Sequence, residues 1–171
     1  MKLAQFRTKT SDVRRVGVLA DGRLFDVAAL ARAVRESGGH SSVWLLETTD
    51  TLDIIRRGAE ALGEIASLVE GARREALNDE RVATAPDAVE FLPPVFPSKI
   101  LAIGRNYVDH AIEGGAAPPS APLVFTKLAN SLSAHEAPIV LPTISAQVDY
   151  EAELAVVIGR RCKRVGETDA L

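Results

Sequence analysis

Three prolines within five residues, Pro93, Pro94 and Pro97, divide this chain more firmly than any other feature. Proline lacks an amide hydrogen and fixes φ, so helix is forbidden there and a sheet ladder is interrupted. The prolines also separate two kinds of sequence. Before them, apolar residues recur at helical spacing; after them, they come in short β-branched runs of the kind found in strands. The expectation is a small N-terminal α+β domain over 1–92, a proline-rich linker over 93–98 and a second domain over 99–171.

In the N-terminal part, Leu3–Arg7 and Arg15–Leu19 read as strands. Asp21-Gly22 joins the second to Arg23–Val27, and Asp-Gly between such runs signals a hairpin because glycine takes positive φ at no steric cost. Ala28–Glu36 is helical in composition and meets a C-terminal stop at Gly38-Gly39. From Thr51 to about Leu77, apolar residues fall at Leu52, Ile55, Ala59, Leu62, Ala66, Val69, Ala72 and Ala76. Steps of three and four make one stripe, which is assigned to core packing. Gly58, Gly63 and Gly71 weaken it, so a helix pair or a bent helix is expected rather than one rod. Asn78–Asp87 is polar and loop-like.

Composition excludes several classes. Among 171 residues there are 20 basic and 23 acidic side chains, a net charge of -3, without the basic excess of a nucleic-acid binder. Arginine pairs at 14–15, 56–57, 73–74 and 160–161 are scattered along the chain. No apolar run approaches the ~18 residues of a membrane span, and the N-terminus has no signal-peptide core. The single cysteine, Cys162, rules out an internal disulfide and a thiolate metal cluster. A cytoplasmic protein with neither nucleic acid nor membrane as partner is expected.

The second part carries the chemistry. Lys99–Ile103, Leu123–Lys127, Pro138–Leu141 and Glu153–Ile158 read as strands, Asn106–Gly114 as a short helix or turn, and Pro118–Pro122 as a stiff loop. Glu151 and Glu153 stand two residues apart ahead of a β-branched run. On a strand they project from one face, where two neighbouring anions favour a cation between them. Carboxylate oxygens suit Mg²⁺, Mn²⁺ or Ca²⁺, and Asp149 shares the alternation. The plainer reading is a strand edge with two glutamates facing water. His110 and Glu113, three apart, share a face if their segment is helical. A carboxylate beside an imidazole fixes its tautomer and strengthens it as a general base; the alternative is a surface ion pair worth less than ~1 kcal/mol. Lys127 closes an apolar strand, either offering its charge to a carboxylate or enolate or snorkelling into water. His40 and His135 lack comparable context.

Taken in order, Pro97–Gly104, Asn106–His110, Pro122–Lys127, Pro138–Pro142 and Asp149–Gly159 with Arg161-Cys162-Lys163 resemble the fumarylacetoacetate hydrolase family. Gly17-Val18-Leu19 and Phe25–Leu30 are similar to the small N-terminal domain these proteins carry. The resemblance implies an α+β fold in which a small N-terminal α/β domain precedes the first part of a mixed β-roll catalytic domain around Mg²⁺ or Mn²⁺. It makes Glu151 and Glu153 two metal ligands, His110 with Glu113 the water-activating pair, and Lys127 a pocket residue of variable role. Family members act on β-dicarbonyl, acylpyruvate or other oxo-acid substrates by C–C hydrolysis, decarboxylation or enol–keto isomerisation. The leading expectation is a metal-dependent C–C bond hydrolase of small oxo acids. An isomerase or decarboxylase of oxo-dienedioates in aromatic catabolism, or a non-catalytic fragment, are its rivals.

Two departures from the family pattern stand out. A third carboxylate ligand, an aspartate beyond the Glu-x-Glu segment, is not reached before Leu171, and Thr168 or Asp169 reads as a helix cap. The expectation is the N-terminal portion of a longer enzyme, a homodimer when full length. Second, Ser133-Ala134-His135-Glu136 stands where relatives often carry a Gly-Pro-Gly-type turn, which removes easy positive-φ positions.

Overall fold

Asp21 and Gly22 both hold positive φ, 48° and 73°, the two-residue turn whose twist matches its flanking strands. The hairpin that it closes joins β2 (Arg15–Ala20) to β3 (Arg23–Asp26), and β1 (Lys2–Thr8) pairs along the other side of β2. The computed structural model describes residues 1–74, 79–115 and 117–170. Two further strands, β4 (Ala83–Thr84) and β5 (Val89–Leu92), complete an antiparallel sheet of order β4-β3-β2-β1-β5. Neither was expected. Both are short and pair with strands distant in sequence, so no local pattern announces them. β5 stops at Leu92 because prolines follow, and the carbonyls of that run are used: Pro93 accepts from Gln5 Nε2 at 2.9 Å and Pro94 from Thr51 Oγ1 at 2.5 Å.

Helix α1 (Val27–Glu36) starts where Asp26 leaves the sheet and accepts the Ala29 amide hydrogen, an N-cap. Its C-terminus ends as expected: Gly38 takes φ 86° and the Gly39 N–H donates to Val34 O at 2.9 Å. A single turn, α2 (Trp44–Glu47), precedes α3 (Thr51–Arg57) and α4 (Ala59–Arg74). The long stripe is therefore a helix pair, broken at Gly58, while Gly63 and Gly71 lie within α4. Ala76, Leu77 and Asn78 fall outside the described residues.

Alternation along the strands sorts the core into two clusters. Val16, Val18 and Phe25 pack with Leu30, Leu45, Ile54, Ile65 and Val69 from the helices. Phe6, Leu24 and Val89 form a smaller cluster. A sheet buried on one face under helices, with a minor cluster opposite, is a two-layer α+β arrangement.

Chain contacts define two compact units, one of residues 1–95 with 134–171 and one of 96–133. The second unit holds β6 (Ile100–Gly104), α5 (Val108–Glu113) and β7 (Leu123–Lys127), with β6 and β7 antiparallel in register Ile100↔Lys127 through Gly104↔Leu123. This two-stranded ribbon is what the described residues contain where the resemblance implies the start of a mixed β-roll.

Pro138–Leu141 and Glu153–Ile158 do not form strands; from 134 to 170 the described chain is irregular apart from short 3-10 turns such as Glu167–Asp169. β-Branched, alternating sequence supplies side chains that suit a pleated surface, but the strand exists only when a neighbour completes its ladder. Among the described residues, no helix is long and apolar enough to cross a membrane.

Candidate functional site

The chain leaves β6 at Gly104 and turns at Arg105, which takes φ 54°. A non-glycine residue in the left-handed region costs about 1–2 kcal/mol, so the surrounding fold must hold it there. Two residues later Tyr107, extended at φ -95° and ψ 122°, opens α5. The short helix is closed at both ends by backbone bonds, Ala111 N–H to Tyr107 O and Gly114 N–H to His110 O, each 3.1 Å. Ala111 is its buried residue. His110 and Glu113, three apart, share a face of α5 and are exposed. The expected helical spacing is thus present.

Register places Lys127 opposite Ile100 at the end of the ribbon. By strand alternation it shares a face with Phe125, Leu123, Ala102 and Gly104, and it is exposed. His110, Glu113 and Lys127 all belong to the unit of 96–133, whereas Glu151 and Glu153 belong to the other.

The two glutamates are exposed and lie in irregular chain. The strand geometry that would set them on one face is therefore absent, which corrects the basis on which they were paired. Asp149 spends one carboxylate oxygen locally, accepting the Tyr150 N–H at 2.8 Å. Among the described residues, no three or more His, Cys, Asp or Glu side chains gather where one ion could sit. The expected site has two protein ligands, and its donors, carboxylate oxygens open to solvent, fit Mg²⁺ in kind.

His135 is 70% exposed at its side chain yet packs edge-to-face on Phe91 with ring centroids 5.5 Å apart, and its Nε2 lies 3.7 Å from Glu136 Oε1. Glu136 takes φ 61°. The loop thus holds a left-handed position at a residue other than glycine. The left-handed backbone of Arg105, just ahead of α5, is the feature that sequence reading missed; a positive φ at arginine leaves no trace in residue type.

Residues 99–171 match the family model for the fumarylacetoacetate (FAA) hydrolase C-terminal domain. Through that segment, less than half of its length, the chain is similar to the fumarylacetoacetate hydrolase family. An uncharacterized protein of Archaeoglobus fulgidus is 53% identical over 83 residues, 48% of this chain and 33% of that protein. The mitochondrial oxaloacetate tautomerase fahd2 of Xenopus laevis is 39% identical over 99 residues, covering 57% and 31%. Human mitochondrial oxaloacetate tautomerase FAHD2B is 45% identical over 84 residues, covering 48% and 27%. The matched stretch therefore spans about a third of the length of these relatives.

Proposed function

We propose that this chain supplies proton-moving and metal-holding residues of a fumarylacetoacetate hydrolase family enzyme that interconverts the enol and keto forms of a small oxo acid. The reading rests on the match over 99–171, which contains all five candidate residues, and on relatives whose names are oxaloacetate tautomerase. Tautomerisation moves one proton between carbon and oxygen and changes no composition. It needs a base that can take the proton and return it, the role of a histidine. In this reading His110 moves the proton, and Glu113, one turn along α5, holds the ring in a productive tautomer. Lys127 offers an ammonium to a substrate carboxylate. Glu151 and Glu153 hold Mg²⁺ or Mn²⁺, which when bound polarises adjacent oxo and carboxylate oxygens as a Lewis acid.

Hydrolysis of a C–C bond is the second reading, favoured by the exposure of His110, which water can reach. There the same imidazole would deprotonate water for attack on a carbonyl.

Exchange of the matched 99-residue stretch of the Xenopus enzyme for the corresponding stretch of this chain tests both. The folded chimera is expected to consume enol oxaloacetate with no change in mass, and His110→Ala to lower kcat by about 10²–10⁴-fold. Release of two carboxylic acids from an acylpyruvate would decide for hydrolysis. A folded chimera inactive in both assays would reject the reading.

A further inference from the structure

The N-terminal unit contains a cleft of about 190 Å³ whose lining includes Arg14, Arg15, Asp26, Ala28, Arg32 and Thr48. Three guanidinium groups face one carboxylate, and that carboxylate is already engaged by Arg15 at 2.9 Å and the Ala29 amide at 3.0 Å. Arg14 pairs with Asp50 at 3.8 Å at the edge of the cleft. Arg32 makes no hydrogen bond or ion pair among the described residues, and its spacing of four from Ala28 sets both on one face of α1. Ala28 is in the first turn of this ten-residue helix, where an amide hydrogen has no intrahelical acceptor and the dipole favours an anion. A separate observation points the same way. Thr48 is 5% exposed, and its Oγ1 is buried without a hydrogen-bond partner. A buried hydroxyl left unpaired costs free energy that a ligand oxygen would recover.

We propose that this cleft binds a small dianion, phosphate or a short dicarboxylate, held by Arg14 and Arg32, the start of α1 and the Thr48 hydroxyl. Guanidinium groups match both ligands through forked hydrogen bonds, and the cleft is too small for a nucleotide-sized molecule. Nothing in the site uses residues 96–171, so it stands or falls apart from the oxo-acid chemistry.

Calorimetric titration of the 171-residue chain with inorganic phosphate, and separately with malonate, tests it. One saturable site is expected, weakening as ionic strength rises. Saturation by phosphate alone or malonate alone assigns the source. Arg32→Gln, at an exposed position, is expected to weaken binding roughly tenfold. Thr48→Val keeps the shape and removes the unpaired hydroxyl. It is expected to weaken binding while leaving the ligand-free melting temperature unchanged or raised, which a structural hydroxyl would not do. Absence of binding by either probe at millimolar concentration overturns the proposal, as does binding that Arg32→Gln leaves intact.

Discussion

The two oxygens of the Asp26 carboxylate are both used, one accepting from Ala29 N–H at 3.0 Å and the other from Arg15 at 2.9 Å, on a side chain 9% exposed. Asp26→Ala removes a helix cap and strands a guanidinium, so a loss of about 2–3 kcal/mol in urea unfolding is expected. Asp26→Asn keeps an acceptor for the cap and should cost about half as much; equal losses would show that the cap contributes nothing. A second carboxylate reports on pH. Asp79 accepts from the Arg81 side chain and then from its backbone N–H, and these bonds hold its pKa down to about 2. A lowered folded value means that the contribution is complete above the ordinary carboxylate range and disappears as pH falls toward about 2. Arg81→Ala removes the side-chain bonds but keeps the backbone one, so it should raise the Asp79 midpoint, read by NMR titration, part of the way toward the ordinary carboxylate range; an unmoved midpoint would sink the assignment. At this scale the spacing of His110 and Glu113 was legible because helix geometry alone fixes it. Arg105 was not, because its backbone angle is imposed by the elements on either side.

Gly58 and Gly63 look alike in sequence, two glycines in one apolar stripe, yet they serve opposite ends. Gly58 separates α3 from α4 at φ 73° and ψ -149°, a region essentially closed to side chains. Gly63 lies inside α4 with open space where a Cβ would stand. Gly58→Ala is therefore expected to destabilise by about 1–3 kcal/mol, and Gly63→Ala to stabilise by about 0.5–1 kcal/mol. Thermal melts that shift in the same direction for both would refute the assignment of the break. Composition alone left helix pair and bent helix open; the backbone at one residue decides. The hairpin was legible for a comparable reason, since Asp21-Gly22 permits its own turn without outside help. Glu153–Ile158 shows the converse. Its β-branched side chains are right for a strand, but pairing is a property of two segments, and the described residues provide no second one. The same dependence removed the face on which Glu151 and Glu153 were to meet.

At the scale of the whole molecule the distribution of apolar surface is uneven. The N-terminal sheet and helices bury their large side chains almost completely, whereas Val140, Ile144, Tyr150 and Leu154 are all more than 80% exposed. On the ribbon, Leu101, Ile103 and Val124 share one face and are exposed. Among the described residues β6 and β7 pair only with each other, which leaves an open edge on each strand. Open edges and contiguous apolar surface drive association, and a net charge of -3 offers little repulsion against it. The purified chain should therefore sediment faster as its concentration rises. A closed dimer would reach a plateau at twice the chain mass, while edge-to-edge growth would not level off. Leu101→Lys with Val124→Lys places charge on the ribbon face without touching the core of the N-terminal unit. That double variant should sediment more slowly at a given concentration while the urea midpoint of the N-terminal core stays fixed. Unchanged sedimentation would move the association to the apolar residues between 139 and 158, where Ile144→Lys and Leu154→Lys are the corresponding substitutions.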